Sequence, residues 1–281
     1  MKMSSTNSEM IKKATRKQSL LWKATNIDTG KASYIFGTVH LRDSKVFFLI
    51  DQIKSLIDIC DIFIAEYNLD DSGESEIMKA LQMPGGKHVK DHLDTRKFKK
   101  IHTKILKAFN LDIEKWGFLK PMVIENMITE SLFETDYEHP MDFDLWQHAK
   151  NNGKITIGAE STKSQISIMN NLPIREQIRS LIGIAKNTYK FKKKIKKTID
   201  LYEQQKISQL YRSAAGSLGK MKKTLVYERN NKIAKKMLKY ADESAVFVAV
   251  GAGHLSGRYG ILRIIRQNGF TLKPIYLNAN V

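Results

Sequence analysis

The sequence predicts an α/β fold in which a mixed central β-sheet is flanked by helices. Three observations carry this. Short, apolar, β-branched runs stopped by glycine recur along the chain, the pattern of strands buried on both faces. Two of these runs lead into one signature: Tyr34–Phe36 precedes Gly37-Thr-Val-His40, and Ala245–Val250 precedes Gly251-Ala-Gly-His254. Two others, Asp61–Ala65 and Lys154–Gly158, lead into Glu66 and into Ala159-Glu160. Helical periodicity fills the intervals, as an α/β alternation requires. The first half reads strand–GxxH, helix, strand–Glu, and the second reads strand–Glu, helices, strand–GxxH. These are pseudo-duplicated halves without a strict sequence repeat.

Taken in order, residues 1–18 read as a flexible basic arm. Residues 19–281 read as one domain with a helical insertion at about 163–240. Leu20–Thr25 and Lys31–Phe36 form a hairpin around the turn signal Asn26-Ile-Asp-Thr-Gly30. Apolar residues at 46, 49, 50, 53, 56, 57 and 60 follow the period of an amphipathic helix. After the strand Asp61–Ala65, an acidic linker and a short helix occupy 70–90, broken at Met83-Pro-Gly-Gly86. Helices are expected over 94–109, 121–135 and 141–151, then the strand Lys154–Gly158. Residues 163–212 read as helical, Ser213–Gly219 as a small-residue loop and Thr224–Tyr240 as a helix. The strand Ala245–Val250, a helix over Gly257–Asn268 and the strand Thr271–Leu277 complete the chain.

Composition narrows the function classes. With 281 residues and 42% hydrophobic content the chain is globular, with ample length for a core. The single cysteine, Cys60, excludes an intramolecular disulfide and a multi-cysteine metal site, and its apolar surroundings mark it as a small core residue. No run of 18 apolar residues occurs, so no transmembrane helix is expected. Met1–Gln18 has no apolar stretch of the Sec type, which makes the cytoplasm the default and leaves export by another route open. The formal charge of +18 favours anionic partners. Between Lys186 and Lys197 stand seven lysines and no acidic residue. That stretch is either a solvated helix face or a docking surface for an anionic partner, with Tyr189 and Phe191 its only aromatic residues.

Two histidines, His40 and His254, and two carboxylates, Glu66 and Glu160, each follow a buried strand. Ligands in open α/β sheets gather outside the carboxyl ends of the strands, so all four side chains are candidates for one cleft. Gly37, Gly251 and Gly253 let backbone approach closely there. Neutral imidazole with carboxylate is a normal ligand set for Zn²⁺, Mn²⁺, Fe²⁺ or Co²⁺. Such an ion acidifies water and polarises a carbonyl, and a carboxylate outside the ligand set can act as general base. Arg229 either holds an anionic group or is an ordinary surface arginine. His88, His92, His102, His139 and His148 lie in polar or helical surroundings and read as solvated. No His-Glu-x-x-His, Gly-x-Ser-x-Gly or Walker motif is present, which argues against a zincin, a serine hydrolase of the α/β type and a P-loop enzyme.

These residues resemble the TraB/GumN family, which takes in the TIKI-type metalloproteases. The similarity rests on Phe36-Gly-Thr-Val-His-Leu41, on Ile64-Ala-Glu-Tyr-Asn-Leu69, and on Asp142, Leu145 and Ala149 as a D-x-x-L-x-x-x-A helix. It continues in Glu160 with Gln165, Asn171-Leu-Pro173 and Gln177, in Glu228-Arg-Asn230, and in Val250-Gly-Ala-Gly-His-Leu255 with Gly257 and Gly260. Asp142 and Gln165 enter as motif residues through this resemblance alone. It implies a fold related to erythromycin-esterase and haem-binding ChaN-like proteins, and a divalent-metal hydrolase acting on peptide or amide bonds of a peptide or protein substrate. His40, His254 and Glu160 would be metal ligands under Mn²⁺, Co²⁺ or Zn²⁺. Glu66 and Glu160 would divide between ligand and base, and Arg229 and Asn230 would orient substrate. The alternatives are a non-catalytic haem- or peptide-binding protein on the same fold, and a basic interaction protein for anionic partners.

Overall fold

The computed structural model describes residues 18–70, 74–217 and 223–276. The expected basic arm, apart from Gln18, lies outside the described residues. Six strands form one mixed sheet in the order β4-β3-β5-β2-β1-β6. They are β1 (Leu21–Asn26), β2 (Ala32–Thr38), β3 (Ile62–Tyr67), β4 (Ile155–Glu160), β5 (Val246–Gly251) and β6 (Phe270–Ile275). β2, β5, β3 and β4 run parallel to one another, and β1 is antiparallel to both β2 and β6. The continuous apolar runs of β2, β3 and β5 are those of strands covered on both faces. β6 closes one edge and carries Pro274, a residue an edge strand tolerates.

The helices are α1 (Ile50–Asp58), α2 (Glu74–Leu81), α3 (Thr95–Phe109), α4 (Ile113–Trp116), α5 (Pro121–Glu130), α6 (Met141–Asn151), α7 (Thr162–Asn171), α8 (Ile174–Lys186), α9 (Thr188–Glu203), α10 (Ile207–Ser217), α11 (Arg229–Tyr240) and α12 (Ile261–Gln267). α6 and α11 both pack on β3, β4 and β5, one on each face. On the α6 face the buried Trp146 meets Phe63 edge-on, and Phe63 stacks on Phe247. Burial of aromatic pairs of this kind is a large apolar contribution with a preferred geometry.

The hairpin turn is held by the Asn26 side chain, whose Oδ1 accepts from the Asp28 and Thr29 amides at 2.8 and 3.2 Å. A second apolar cluster lies apart from the sheet. Phe98, Ile105 and Phe109 of α3 meet Ile124 and Ile128 of α5 and Leu181 of α8. Helical material is therefore added to the sheet before β4 as well as after it.

Several helix boundaries differ from expectation for local reasons. The stretch 163–212 is three helices and part of a fourth, broken at Leu172-Pro173, at the Asn187 N-cap of α9 and near Gln205, which has a φ of 55°. The loop expected over Ser213–Gly219 is helical as far as Ser217, and its last two residues lie outside the described residues. Ahead of α11 a π-turn spans Lys223–Glu228, a widening that often marks functional positions. Three of the five histidines read as solvated are instead half-buried and paired. His88 bonds the Glu114 carbonyl and accepts from the Lys90 amide, His102 pairs with Asp112, and His148 pairs with Asp58.

The order of strand addition positions the site. β5, late in the chain, inserts between β2 and β3, with Thr38 opposite Gly251. Gly37 makes this junction close: a Cβ there would stand 2.7 Å from Leu255 Cδ1 and 3.0 Å from Ala252 Cα. Its carbonyl also accepts from the buried Tyr202 hydroxyl at 2.8 Å. Gly37→Ala is expected to cost about 1–3 kcal/mol through overpacking. Urea unfolding should show a lower midpoint with an unchanged slope; an unchanged midpoint would contradict this packing.

Candidate active site at the strand ends

The four parallel strands end along one edge of the sheet, which is why side chains far apart in sequence meet. Thr38 pairs with Gly251 across β2 and β5, and Tyr67 pairs with Glu160 across β3 and β4. His40, Glu66, Glu160 and His254 each stand at or just beyond one of these ends. The sequence reading had them in this relation because each followed an apolar run.

Arg229 is the hub of the site. Its Nε donates to Glu160 Oε2 at 2.6 Å and its Nη2 donates to Glu66 Oε2 at 2.7 Å. The guanidinium is 14% exposed, so it is not a surface arginine. Burial opposes its charge, but the two carboxylates outweigh burial and raise its pKa further. Glu160 has a fully buried side chain and also accepts from Gln165 Nε2 at 2.9 Å and from Lys232 Nζ at 3.3 Å. Both of its oxygens are therefore engaged by cations or amide.

Glu66 is placed differently. Its Oε1 accepts from the Gly251 amide at 2.6 Å and stands 3.8 Å from His254 Nε2. A Cβ on residue 251 would lie 3.1 Å from that oxygen, so glycine lets the carboxylate reach the backbone. Burial works to raise the Glu66 pKa. The charge of His254, protonated at the acidic pH where Glu66 titrates, and that of Arg229, with the Gly251 amide and the Arg229 hydrogen bond, outweigh burial and hold it at about 2.

His254 is oriented by Asn230. The Asn230 Nδ2 donates to the Tyr259 carbonyl at 2.6 Å and the His254 carbonyl at 3.3 Å, which leaves its Oδ1 to accept from His254 Nδ1 at 2.6 Å. The imidazole thus carries its proton on Nδ1 and turns the Nε2 lone pair toward Glu66. Burial first, and the Arg229 charge with it, keep His254 below its ordinary pKa and neutral, against the pull of Glu66 and Glu160.

His40 is held in the same manner from the other side. Its Nδ1 bonds the Asp142 carboxylate at 2.9 and 3.0 Å, and Asp142 lies in the first turn of α6. The Asp142 hydrogen bond raises the His40 pKa, against burial. His40 is 57% exposed and leaves Nε2 free of Asp142.

A cleft of about 300 Å³ is lined by His40, Glu66, Asp142 and Gly251 together with Thr38, Tyr67 and Asn126, whereas His254, Arg229 and Glu160 lie behind its wall, reached through Glu66. Tyr67 and Asn126 were not singled out from sequence. Tyr67 directly follows Glu66 at the end of β3, a signal available in hindsight. Asn126 comes from α5, and no local pattern marks it. Lys232 was also missed, although it stands one turn after Arg229 on α11. Burial, with Asp142 and Glu66 nearby, pushes the Tyr67 hydroxyl up to about 12, so it stays a hydrogen-bond donor.

Among the described residues, no three His, Cys, Asp or Glu side chains gather closely enough to form a metal cage. The donor chemistry fits a divalent ion all the same. Both imidazoles have Nδ1 fixed by a partner and Nε2 available, the outer-shell arrangement that metal-ligating histidines use. The 3.8 Å between His254 Nε2 and Glu66 Oε1 is near the ~3.4 Å that separates tetrahedral ligands with bonds of about 2.1 Å.

The model of the TraB/PrgY/gumN family matches residues 20–274. Three curated relatives carry the same signal at low identity. Metalloprotease TIKI homolog of Amphimedon queenslandica is 22% identical over 342 aligned residues, covering 99% of this chain and 66% of that protein. Metalloprotease TIKI2 of Danio rerio is 21% identical, covering 91% of this chain and 60% of the relative. Metalloprotease TIKI1 of Xenopus tropicalis is 21% identical, with 95% and 63% covered. The chain thus spans 60–66% of the length of these relatives. No solved structure is a significant match.

The low Glu66 pKa gives a stability test. A depressed carboxylate contributes stability that is fully present above its unfolded value of 4.5 and is lost as pH falls through about 2. The wild type should therefore lose more stability between pH 4.5 and 2 than Glu66→Gln, by on the order of 3 kcal/mol. Parallel stability–pH curves for the two proteins would contradict the assignment.

Proposed function

Because the chain belongs to the TraB/PrgY/gumN family, we propose that it is a divalent-metal-dependent hydrolase acting on peptide or amide bonds of a peptide or protein substrate. The observation that carries this reading is the pair of imidazoles at neighbouring strand ends, each with Nδ1 anchored and Nε2 free. The names of the curated relatives point the same way.

His40 and His254 are the proposed metal ligands, with the identity of the ion open among Mn²⁺, Co²⁺ and Zn²⁺. Glu66 is the carboxylate that faces both His254 and the cleft. Its depressed pKa makes it a weak base, so it is better suited to complete the ligand set than to take a proton from an attacking water. Glu160, first considered as a ligand, is better suited to act through Arg229, since its side chain is fully buried under Arg229, Gln165 and Lys232 and does not line the cleft. A divalent cation supplies Lewis acidity, acidifying water and polarising a scissile carbonyl.

The chain's own residues do the rest. Asp142 and Asn230 fix the two histidines in one tautomer. Arg229 keeps Glu66 ionised and aimed. Tyr67, protonated and on the cleft wall, can donate to an oxygen on which negative charge develops.

A peptide library incubated with the full chain and added Mn²⁺, Co²⁺ or Zn²⁺ tests this. Cleavage should appear with metal, vanish with chelator, and fall at least about 100-fold in His40→Ala and in His254→Ala while circular dichroism stays that of the wild type. Cleavage indifferent to chelator and to both substitutions would overturn the proposal. So would a folded, metal-supplemented wild type that leaves every peptide intact.

A further inference from the structure

A second concavity shares no residue with the cleft. It measures about 530 Å³ and lies between α3 and α9. Lys104 and Lys107 of α3 stand on one bank, and Lys186 and Lys192 stand on the other. All four are exposed. Tyr189 lines the same trough and is 75% exposed, an unusual placement for a large aromatic ring. Phe191, its near neighbour, packs edge-on against Phe109 in the second core and is accounted for. The Lys192 ammonium lies 5.1 Å above the Phe109 ring, which fixes its stem at the rim.

The positive charge continues along α9. Lys190, Lys193, Lys196 and Lys197 are exposed, and no carboxylate occurs between Lys186 and Lys197. On the other flank of α9 a further hollow of about 340 Å³ is lined by Lys197 and Arg212. A solvated helix face ordinarily mixes signs, so that neighbours at i,i+3 and i,i+4 attract. Here the pairs Lys190–Lys193, Lys192–Lys196 and Lys193–Lys197 repel one another. An unpartnered helix carries that cost for nothing, whereas a polyanion laid along it relieves the repulsion.

We propose that this trough binds single-stranded nucleic acid. Lysines on both banks neutralise successive phosphates of one backbone, and Tyr189 stacks against an unpaired base. Lysine is a point-charge phosphate binder, and Asn187, the one amide side chain lining the trough, has its Oδ1 taken by the Lys190 amide and cannot pair in bidentate fashion with a base, so binding is tolerant of sequence. A concave slot with two charged banks suits a single strand better than the flat surface of a bilayer. The inference is independent of the hydrolase reading, because it uses none of the cleft residues.

Fluorescence anisotropy with the full chain and labelled single-stranded (dT)20 tests it between 50 and 200 mM NaCl. Binding should weaken with salt, with a slope of log K on log salt of about −4 for six neutralised phosphates. Lys104→Glu/Lys107→Glu/Lys186→Glu, which reverses charge on both banks, should weaken binding at least about 10-fold. Tyr189→Ala should weaken it about fivefold or more with the slope retained. Three results would each overturn the proposal: no binding at 50 mM NaCl, equal binding of a 20-base-pair duplex with no effect of Tyr189→Ala, or tighter binding to phosphatidylserine vesicles than to (dT)20. Each variant changes only exposed side chains, and wild-type circular dichroism establishes that the fold is intact.

Discussion

One guanidinium spanning a buried and a half-buried carboxylate is the interaction on which the site depends. Glu66 and Glu160 leave adjacent strands of the sheet, and their charges would repel in a space with little water to screen them. Arg229 reaches both with separate nitrogens, so a single cation compensates two anions and fixes their spacing. A buried network of this type is costly to leave half-made: removing one member strands the others without their counter-charge. The helix that carries Arg229 also carries Asn230, so the same backbone turn orients His254. Consecutive positions on a helix point about 100° apart, so the first turn of α11 sends one side chain toward the carboxylates and the next toward the imidazole.

The sheet makes the convergence possible. A chain that placed β5 at an edge would leave the two Gly-x-x-His units apart. Insertion of β5 between β2 and β3 puts Gly251 beside Thr38 and within hydrogen-bonding reach of Glu66. The two glycines at this junction act by absence of a side chain. Gly37 lets the turn carrying His254 pack on β2, and Gly251 lets a carboxylate touch the backbone.

Much of this was legible in the sequence. Short apolar runs located all six strands, and a histidine or glutamate after four of them marked the sheet edge where the site lies. What the sequence could not give was pairing. Glu66 and Glu160 look equivalent as strand-ending glutamates, yet Glu160 is sealed by Arg229, Gln165 and Lys232 whereas Glu66 faces His254 and the cleft. That difference arises from register and from α11, both long-range. The histidines His88, His102 and His148 looked solvated because their partners, the Glu114 carbonyl, Asp112 and Asp58, are tertiary neighbours. Asn126 reaches the cleft from α5 and leaves no trace in local pattern. Helix limits over 163–212 were blurred because lysine-rich and apolar turns share one periodicity, and of its three interruptions, at Pro173, Asn187 and Gln205, only the proline is a strong local signal.

The central claim is that His40 and His254, each anchored through Nδ1, offer their Nε2 atoms to one divalent ion. Titration of the folded chain with Co²⁺, followed by its visible absorption, tests this most directly. One equivalent should bind with a ligand-field band of a nitrogen- and oxygen-ligated site, and His40→Ala and His254→Ala should each weaken that binding at least about 10-fold. A wild type that develops no such band, or a band that both substitutions leave unchanged, would contradict the account.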